Sequence, residues 1–336
     1  MSVTGMPKKR FAAVAAMTAL ALTTLVGCGG SSSTSSSTSG DGTKTVTVQA
    51  GFIPVIDVAA LYLGKDQGIF EKEGINLNVN LGTSGAAVVP AVVSGQYTFG
   101  FSAIVSLLQA KDQGVPLKII AAGSSSTAKE GADVTMIHAA PDSGIKSPKD
   151  LEGKTVSVNA LNGLLQLLCE IAVKKDGGDP TKVHFIELPF ANAVSSLKSH
   201  KIDAMVGAEP FGTAAISAGF PAISSPYLAM SSQPMLTSAY YTSDAQLQKN
   251  PELFAKLGKA IDESLTYAQA HPDEVREELP KFSGLSEADA QKAILPTYGA
   301  QVPESSISLF SQYAKEFGMT KNDVSFKDIV WSGAGK

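Results

Sequence analysis

The chain has 336 residues, of which 44% are hydrophobic and 17% charged, with a formal net charge of −4. That balance excludes a disordered chain, which lacks the apolar residues for a core. It also excludes a nucleic-acid binder that relies on a surplus of basic residues. The length predicts about two domains once non-structural segments are set aside.

Those segments come first. Lys8, Lys9 and Arg10 precede an apolar run from Phe11 to Val26, the pattern of an export signal, and the run is shorter than a bilayer-spanning helix needs. Leu25-Val26-Gly27-Cys28 then resembles the bacterial lipobox, which implies that Cys28 is lipidated (the palmitate-bearing anchor of a lipoprotein) and starts the mature chain. Ser31 to Ser39 is all Ser and Thr, too polar to bury, and reads as a flexible tether. The expected division is a signal over 1–28 and a tether over 29–43. Cys169, in the apolar stretch Leu164 to Val173, reads as a small core residue. The four His (His138, His184, His200, His271) are scattered, and no Cys or His pair has metal-ligand spacing. No metal site or cofactor is expected.

An internal duplication organises the rest. Lys44-Thr-Val-Thr-Val-Gln49 returns 110 residues on as Lys154-Thr-Val-Ser-Val-Asn159, and Lys65 to Gly68 returns at the same offset as Lys175 to Gly178. Val93 to Phe99 and Lys198 to Ala204 share a helix, turn and strand rhythm at an offset of 105. Each copy predicts an alternating Thr/Val strand, a loop and an apolar helix, hence two similar α/β lobes whose loops after the strands form a ligand rim. The rim segments are Ala50 to Asp57, Gly82 to Ala87 and Phe101 to Ala103 in the first copy. In the second they are Ala160 to Gly163, Pro189 to Asn192 and Ala208 to Phe211. Beyond Ser238, Asn250-Pro251-Glu252 starts a helix with Phe254, Leu257, Ile261 and Leu265 on one face. Ser286-Glu287 and Pro303-Glu304 open later helices, the last stopping at Gly318, and this tail is expected to pack on the first lobe.

The middle of the chain carries a resemblance. Ser143 to Val156 (Ser-Gly-Ile-Lys-Ser-Pro-Lys-Asp-Leu-Glu-Gly-Lys-Thr-Val), Tyr62 to Ile75, Ser199 to Ala204 and Glu209-Pro210-Phe211 resemble landmarks of the periplasmic-type binding proteins of bacterial ABC importers. The most similar branch serves nitrate, sulfonates, taurine and thiamine or pyrimidine precursors. The resemblance implies an α/β type II periplasmic-binding-protein fold with two lobes around a central cleft. It also implies permease and ATPase partners and a monomeric receptor on the outer face of the cell membrane. The expected divisions are 44–138 for lobe one, 139–237 for lobe two and 238–336 for the return to lobe one. An enzyme branch of the superfamily carries a Cys-rich motif that this chain lacks. A secreted enzyme on the same fold, or a lipoprotein sensor or adhesin, is the alternative; no nucleophile-base motif supports catalysis.

The rim supplies the candidate ligand residues. Asn159, Leu161, Asn162 and Gly163 join a strand to a helix, where free N–H groups favour polar acceptors, while Asn162 also serves as a cap. Ser84, Gly85 and Ala86 are the matching small residues of the first lobe, either a ligand loop or a plain one. Phe52, Phe101, Phe190 and Phe211 are expected to sandwich a flat or apolar solute, with Ile53, Pro54 and Ser102 beside them. Asp57 reads as a helix cap. Glu209 follows a buried-looking strand and is open to two readings, ligand acceptor or hinge residue. Arg10 and Arg276 are the only arginines, so the cleft has no Arg clamp for a sulfonate or carboxylate. A neutral or aromatic nitrogenous solute, such as a pyrimidine-like compound, is therefore expected over a sulfonate; a sulfonate-, nitrate- or taurine-type anion is the alternative and would have to rely on helix N-termini, hydroxyls or Lys.

Overall fold

The computed structural model describes residues 45–335; the export signal, Cys28 and the whole tether segment 29–43 lie outside them. Ten strands follow in chain order: β1 (Val46–Phe52), β2 (Ile75–Leu81), β3 (Phe99–Ala103), β4 (Leu117–Ala122), β5 (Thr135–Ala139), β6 (Thr155–Val158), β7 (His184–Glu187), β8 (Ala204–Ala208), β9 (Ala222–Ser224) and β10 (Ser238–Ser243). They form two five-stranded sheets, β2-β1-β3-β10-β4 and β7-β6-β8-β5-β9. In the first, β1 pairs parallel with β2 and β3 while β10 runs antiparallel to β3 and β4. The second repeats the pattern: β6 is parallel to β7 and β8, and β5 is antiparallel to β8 and β9.

The duplication reappears in the sheets. Shifting β3 by the offset of 105 gives β8 at both ends. β1 and β6, the two copies of the Thr/Val strand, hold the second position of their sheets. The antiparallel strands are the exchanges: the chain leaves the first sheet after β4 to enter the second at β5, and returns after β9 to enter β10. The first passage is therefore 123–134, earlier than the boundary after residue 138, and Thr135–Ala139 belong to the second sheet.

Local chemistry sets the helices on these sheets. Ser84 caps the helix Gly85–Val93 by accepting from the Ala87 N–H at 3.3 Å. A side chain at Gly85 would collide with Ser102, so glycine lets the first turn lie directly on β3. In the tail, Asn250 caps the helix Pro251–Ala270 by accepting from the Leu253 N–H at 3.1 Å, and Phe254, Leu257, Ile261 and Leu265 are all buried. That helix packs on Ala59–Asp66, with Gly64 against Ser264 at the closest approach. The helix Glu304–Glu316 packs on Ile104–Asp112, and the chain turns at Gly318 with φ +72°. Cys169 is fully buried within the helix Leu164–Lys175.

Candidate functional site

The carboxyl ends of the parallel strands in both sheets converge on one cavity. From the first sheet come Ile53, Val55 and Asp57 after β1, Ser84 and Gly85 after β2, and Phe101 and Ala103 on β3. The second contributes Asn159, Ala160 and Gly163 after β6, Phe190 after β7 and Ala208 on β8. The space open to the centre of a water-sized sphere is ≈ 60 Å³. At roughly 10–15 Å³ per water, that suits a compact solute of about one small ring in this conformation.

Seven of the sequence candidates line this space: Ile53, Ser84, Gly85, Phe101, Asn159, Gly163 and Phe190. The other eight do not. Phe52 is fully buried behind Phe101, edge-on at 6.4 Å, and Phe211 stands behind Phe190, stacked at 5.0 Å with an interplanar angle of 7°. The expected sandwich of four rings is thus two lining rings, one per lobe, each backed by another. Ser102 is sealed beneath Gly85, Ala86 faces solvent, and Pro54 is half-buried outside the lining. Leu161 and Asn162 are exposed at the tip of their loop; Gly163, not Asn162, is the N-cap of Leu164–Lys175.

Glu209 is also outside the cavity. Its backbone joins the lobes, its carbonyl accepting from the Ile56 N–H at 3.1 Å and its N–H donating to Val134 at 2.8 Å. Its carboxyl turns the other way, 1% exposed, with Oε1 over Gly212 beside His138. Neither carboxyl oxygen has a partner within hydrogen-bonding geometry among the described residues. Burial pushes its pKa up to about 8, with Thr213 and the Ile294 N–H pulling weakly back. His138 is fully buried, and its Nδ1 meets the Phe220 carbonyl at 3.1 Å, so that nitrogen carries the proton and Nε2 is bare. Burial lowers its pKa to about 4.

Asp57, which falls at the end of a rim segment and reads from sequence as a helix cap, lines the cavity instead. It caps nothing: Val58 precedes the helix Ala59–Asp66, and no side chain bonds that helix start. Instead Asp57 Oδ1 accepts from the hydroxyls of Ser124, Thr237 (2.8 Å) and Ser238 (3.0 Å). No hydrogen bond reaches Oδ2 among the described residues. The carboxylate is thereby fixed by one oxygen with the other left over, and among the described residues Asp57 is the only charged one lining the cavity. Tyr227, also lining, is buried with a hydroxyl that has no partner in hydrogen-bonding geometry among the described residues, and burial raises its pKa well above the phenol range. Nothing in either local sequence sets these two apart.

Comparisons with known proteins give the class first. The fold is that of the periplasmic binding proteins. A ligand-binding component of an ABC-type import system from Staphylococcus aureus superimposes with a TM-score of 0.73 at 15% identity, over 85% of this chain and 96% of that one. The periplasmic aliphatic sulphonate-binding protein SsuA of Escherichia coli gives 0.70 at 17%, over 85% and 92%. The nitrate-binding protein NrtA of Synechocystis PCC 6803 gives 0.69 at 15%, over 85% and 84%. The chain belongs to the NMT1/THI5-like family, whose model matches residues 55–275. A formylaminopyrimidine-binding protein of Halalkalibacterium halodurans is 25% identical over 50% of this chain; the match spans about half (48%) of that relative's length. No helix among the described residues is long and apolar enough to cross a membrane.

Proposed function

We propose that the protein is a solute receptor that captures a compact nitrogenous ring compound carrying N–H donors and hands it to an ABC importer. The observation that carries this reading is the cavity's charge: one carboxylate, Asp57, and no Lys, Arg or His in the lining. An anion placed there would face an uncompensated like charge in a low-dielectric space, whereas an amino group or ring N–H would complete the free Oδ2. Phe101 and Phe190 supply apolar faces for a ring, and the Tyr227 hydroxyl and Asn159 offer polar contacts at its edge. Similarity to a formylaminopyrimidine-binding protein points the same way. Delivery to a permease and ATPase, rather than turnover, is supported by the family fold and by the binding proteins that the chain resembles. Calorimetric titration with an aminopyrimidine and an alkanesulfonate tests the assignment.

The receptor acts at the extracytoplasmic face of the cell membrane with Cys28 as its lipid anchor, a reading supported by the lipobox-like run and the Ser-rich segment after it. Cys28→Ala in the native host is expected to move the chain from the membrane fraction to the soluble fraction, or to leave it unprocessed. Retention of the processed variant on the membrane contradicts the anchor.

A further inference from the structure

One side chain of the first lobe reaches across to the solute loop of the second. Gln109, on the helix Ile104–Asp112, donates from Nε2 to the Asn162 carbonyl at 2.8 Å, and the same nitrogen lies 3.5 Å from the Met319 carbonyl. The Asn162 loop is bonded within its own lobe by its amides. Its Leu161 N–H goes to Glu187 at 3.1 Å and its Asn162 N–H to Gln166 at 2.7 Å. Asn162 adopts φ +54°, a left-handed conformation that Asn tolerates better than most residues. The Asn162 carbonyl is thus the group with which this loop, which lines the cavity through Asn159, Ala160 and Gly163, meets the opposite lobe.

The C-terminal segment makes a second contact beside the first. Asp112 closes the same helix that carries Gln109 and accepts from the Lys321 N–H (2.8 Å), the Asn322 N–H (3.0 Å) and Asn322 Nδ2 (2.9 Å). Segment 316–322 is thereby tied to the first lobe. Lys174 of the second lobe lies against that segment, 2.8 Å from Glu316 and 5.4 Å above the Phe317 ring. The helix that carries Lys174 begins at Leu164 and Leu165, both in the cavity lining. One end of it faces the solute and the other rests on the clasp. Lys174 and Glu316 are both well exposed, so their ion pair is the weaker half.

We propose that Gln109 is a positioning residue. It clasps the two lobes at the rim, holds the 159–163 loop in its cavity-lining conformation and sets how fast a solute leaves, with Lys174 as an auxiliary contact. The inference rests on the cavity being the solute site, so its test begins without solute. Hydrogen exchange with mass spectrometry is measured on the full chain for wild type, Gln109→Glu, Gln109→Ala and Lys174→Met. Glutamate keeps the shape of Gln109 but cannot donate from a carboxylate to the Asn162 carbonyl. Exchange at 159–163 is expected to rise roughly fivefold in both Gln109 variants, the weight of about one hydrogen bond, and less in Lys174→Met. Protection in β1 and β3 should stay at the wild-type level, which shows that the variants are folded. Should Gln109→Ala lose that protection, Gln109→Glu decides alone. With 4-aminopyrimidine as probe, both Gln109 variants should release it roughly fivefold faster with little change in association. Wild-type exchange at 159–163 in Gln109→Glu overturns the clasp. Failure of wild type to bind the probe counts against the solute assignment instead, and leaves the exchange result to judge the clasp.

Discussion

Asp57→Asn is expected to weaken binding of an aminopyrimidine by roughly ten- to a hundredfold, the range of a charge-assisted hydrogen bond of about 1.5–3 kcal/mol. The substitution keeps the shape and keeps an acceptor for the Ser124, Thr237 and Ser238 hydroxyls, so the side chain should stay in place. What changes is the group left for the solute: a free carboxylate oxygen becomes an amide that donates, and two donors then face each other. For ethanesulfonate the sign reverses, because the only charge in the lining has gone. Calorimetry of the two proteins with both solutes reads this directly. Equal aminopyrimidine affinity in wild type and variant would show that Asp57 is structural and that the hydroxyl cage is its whole role.

Glu209→Gln is expected to flatten the alkaline limb of the stability curve. The folded pKa of Glu209 is raised from 4.5 to about 8, so the unfolded chain sheds this proton first. Its contribution is complete below pH 4.5 and is lost as pH rises towards 8. His138 works in the opposite sense: its folded pKa of about 4 lies below the ordinary 6.5, so its contribution is present above 6.5 and lost as pH falls towards 4. The two slopes offset one another between pH 4.5 and 6.5. Between 6.5 and 8 the Glu209 slope stands alone, about 2 kcal/mol over that interval at ~1.4 kcal/mol per unit. Urea unfolding at pH 6.5 and 8.5 should show wild type losing about that much more stability than Glu209→Gln. Parallel losses in the two proteins would place the Glu209 proton elsewhere.

The architecture was legible in the sequence because duplication is a local pattern. The repeats at 110 and 105 residues mark β1 with β6 and β3 with β8, and no long-range contact is needed to see them. The exchange strand β5 was harder to place. Its residues continue from a loop of the first lobe, and only pairing with β8 and β9 assigns them to the second sheet. In the site, rim segments could be found but not the facing of each residue. Successive strand side chains point to opposite sides, so Ile53 lines the cavity and Phe52 does not, Phe101 and Ala103 do and Ser102 does not, Ala208 does and Glu209 does not. Facing of this kind leaves the Glu209 carboxyl outside the lining, in which Asp57 is the charged residue. Asp57 was read as a cap because an Asp before an apolar helix looks the same in either role. The hydroxyls that fix it arrive from positions 67, 180 and 181 residues away, beyond the reach of any local pattern.

The central claim is that this cavity recognises a compact N–H-bearing ring and excludes anions. Side-by-side calorimetric titration of the purified wild-type chain with 4-aminopyrimidine and with ethanesulfonate, at pH 7 in sulfate- and phosphate-free buffer, tests it most directly. The account predicts saturable one-to-one binding of the aminopyrimidine and no measurable heat with the sulfonate. Tighter binding of ethanesulfonate than of the aminopyrimidine would contradict it, because a cavity whose only charge is a carboxylate should not prefer an anion.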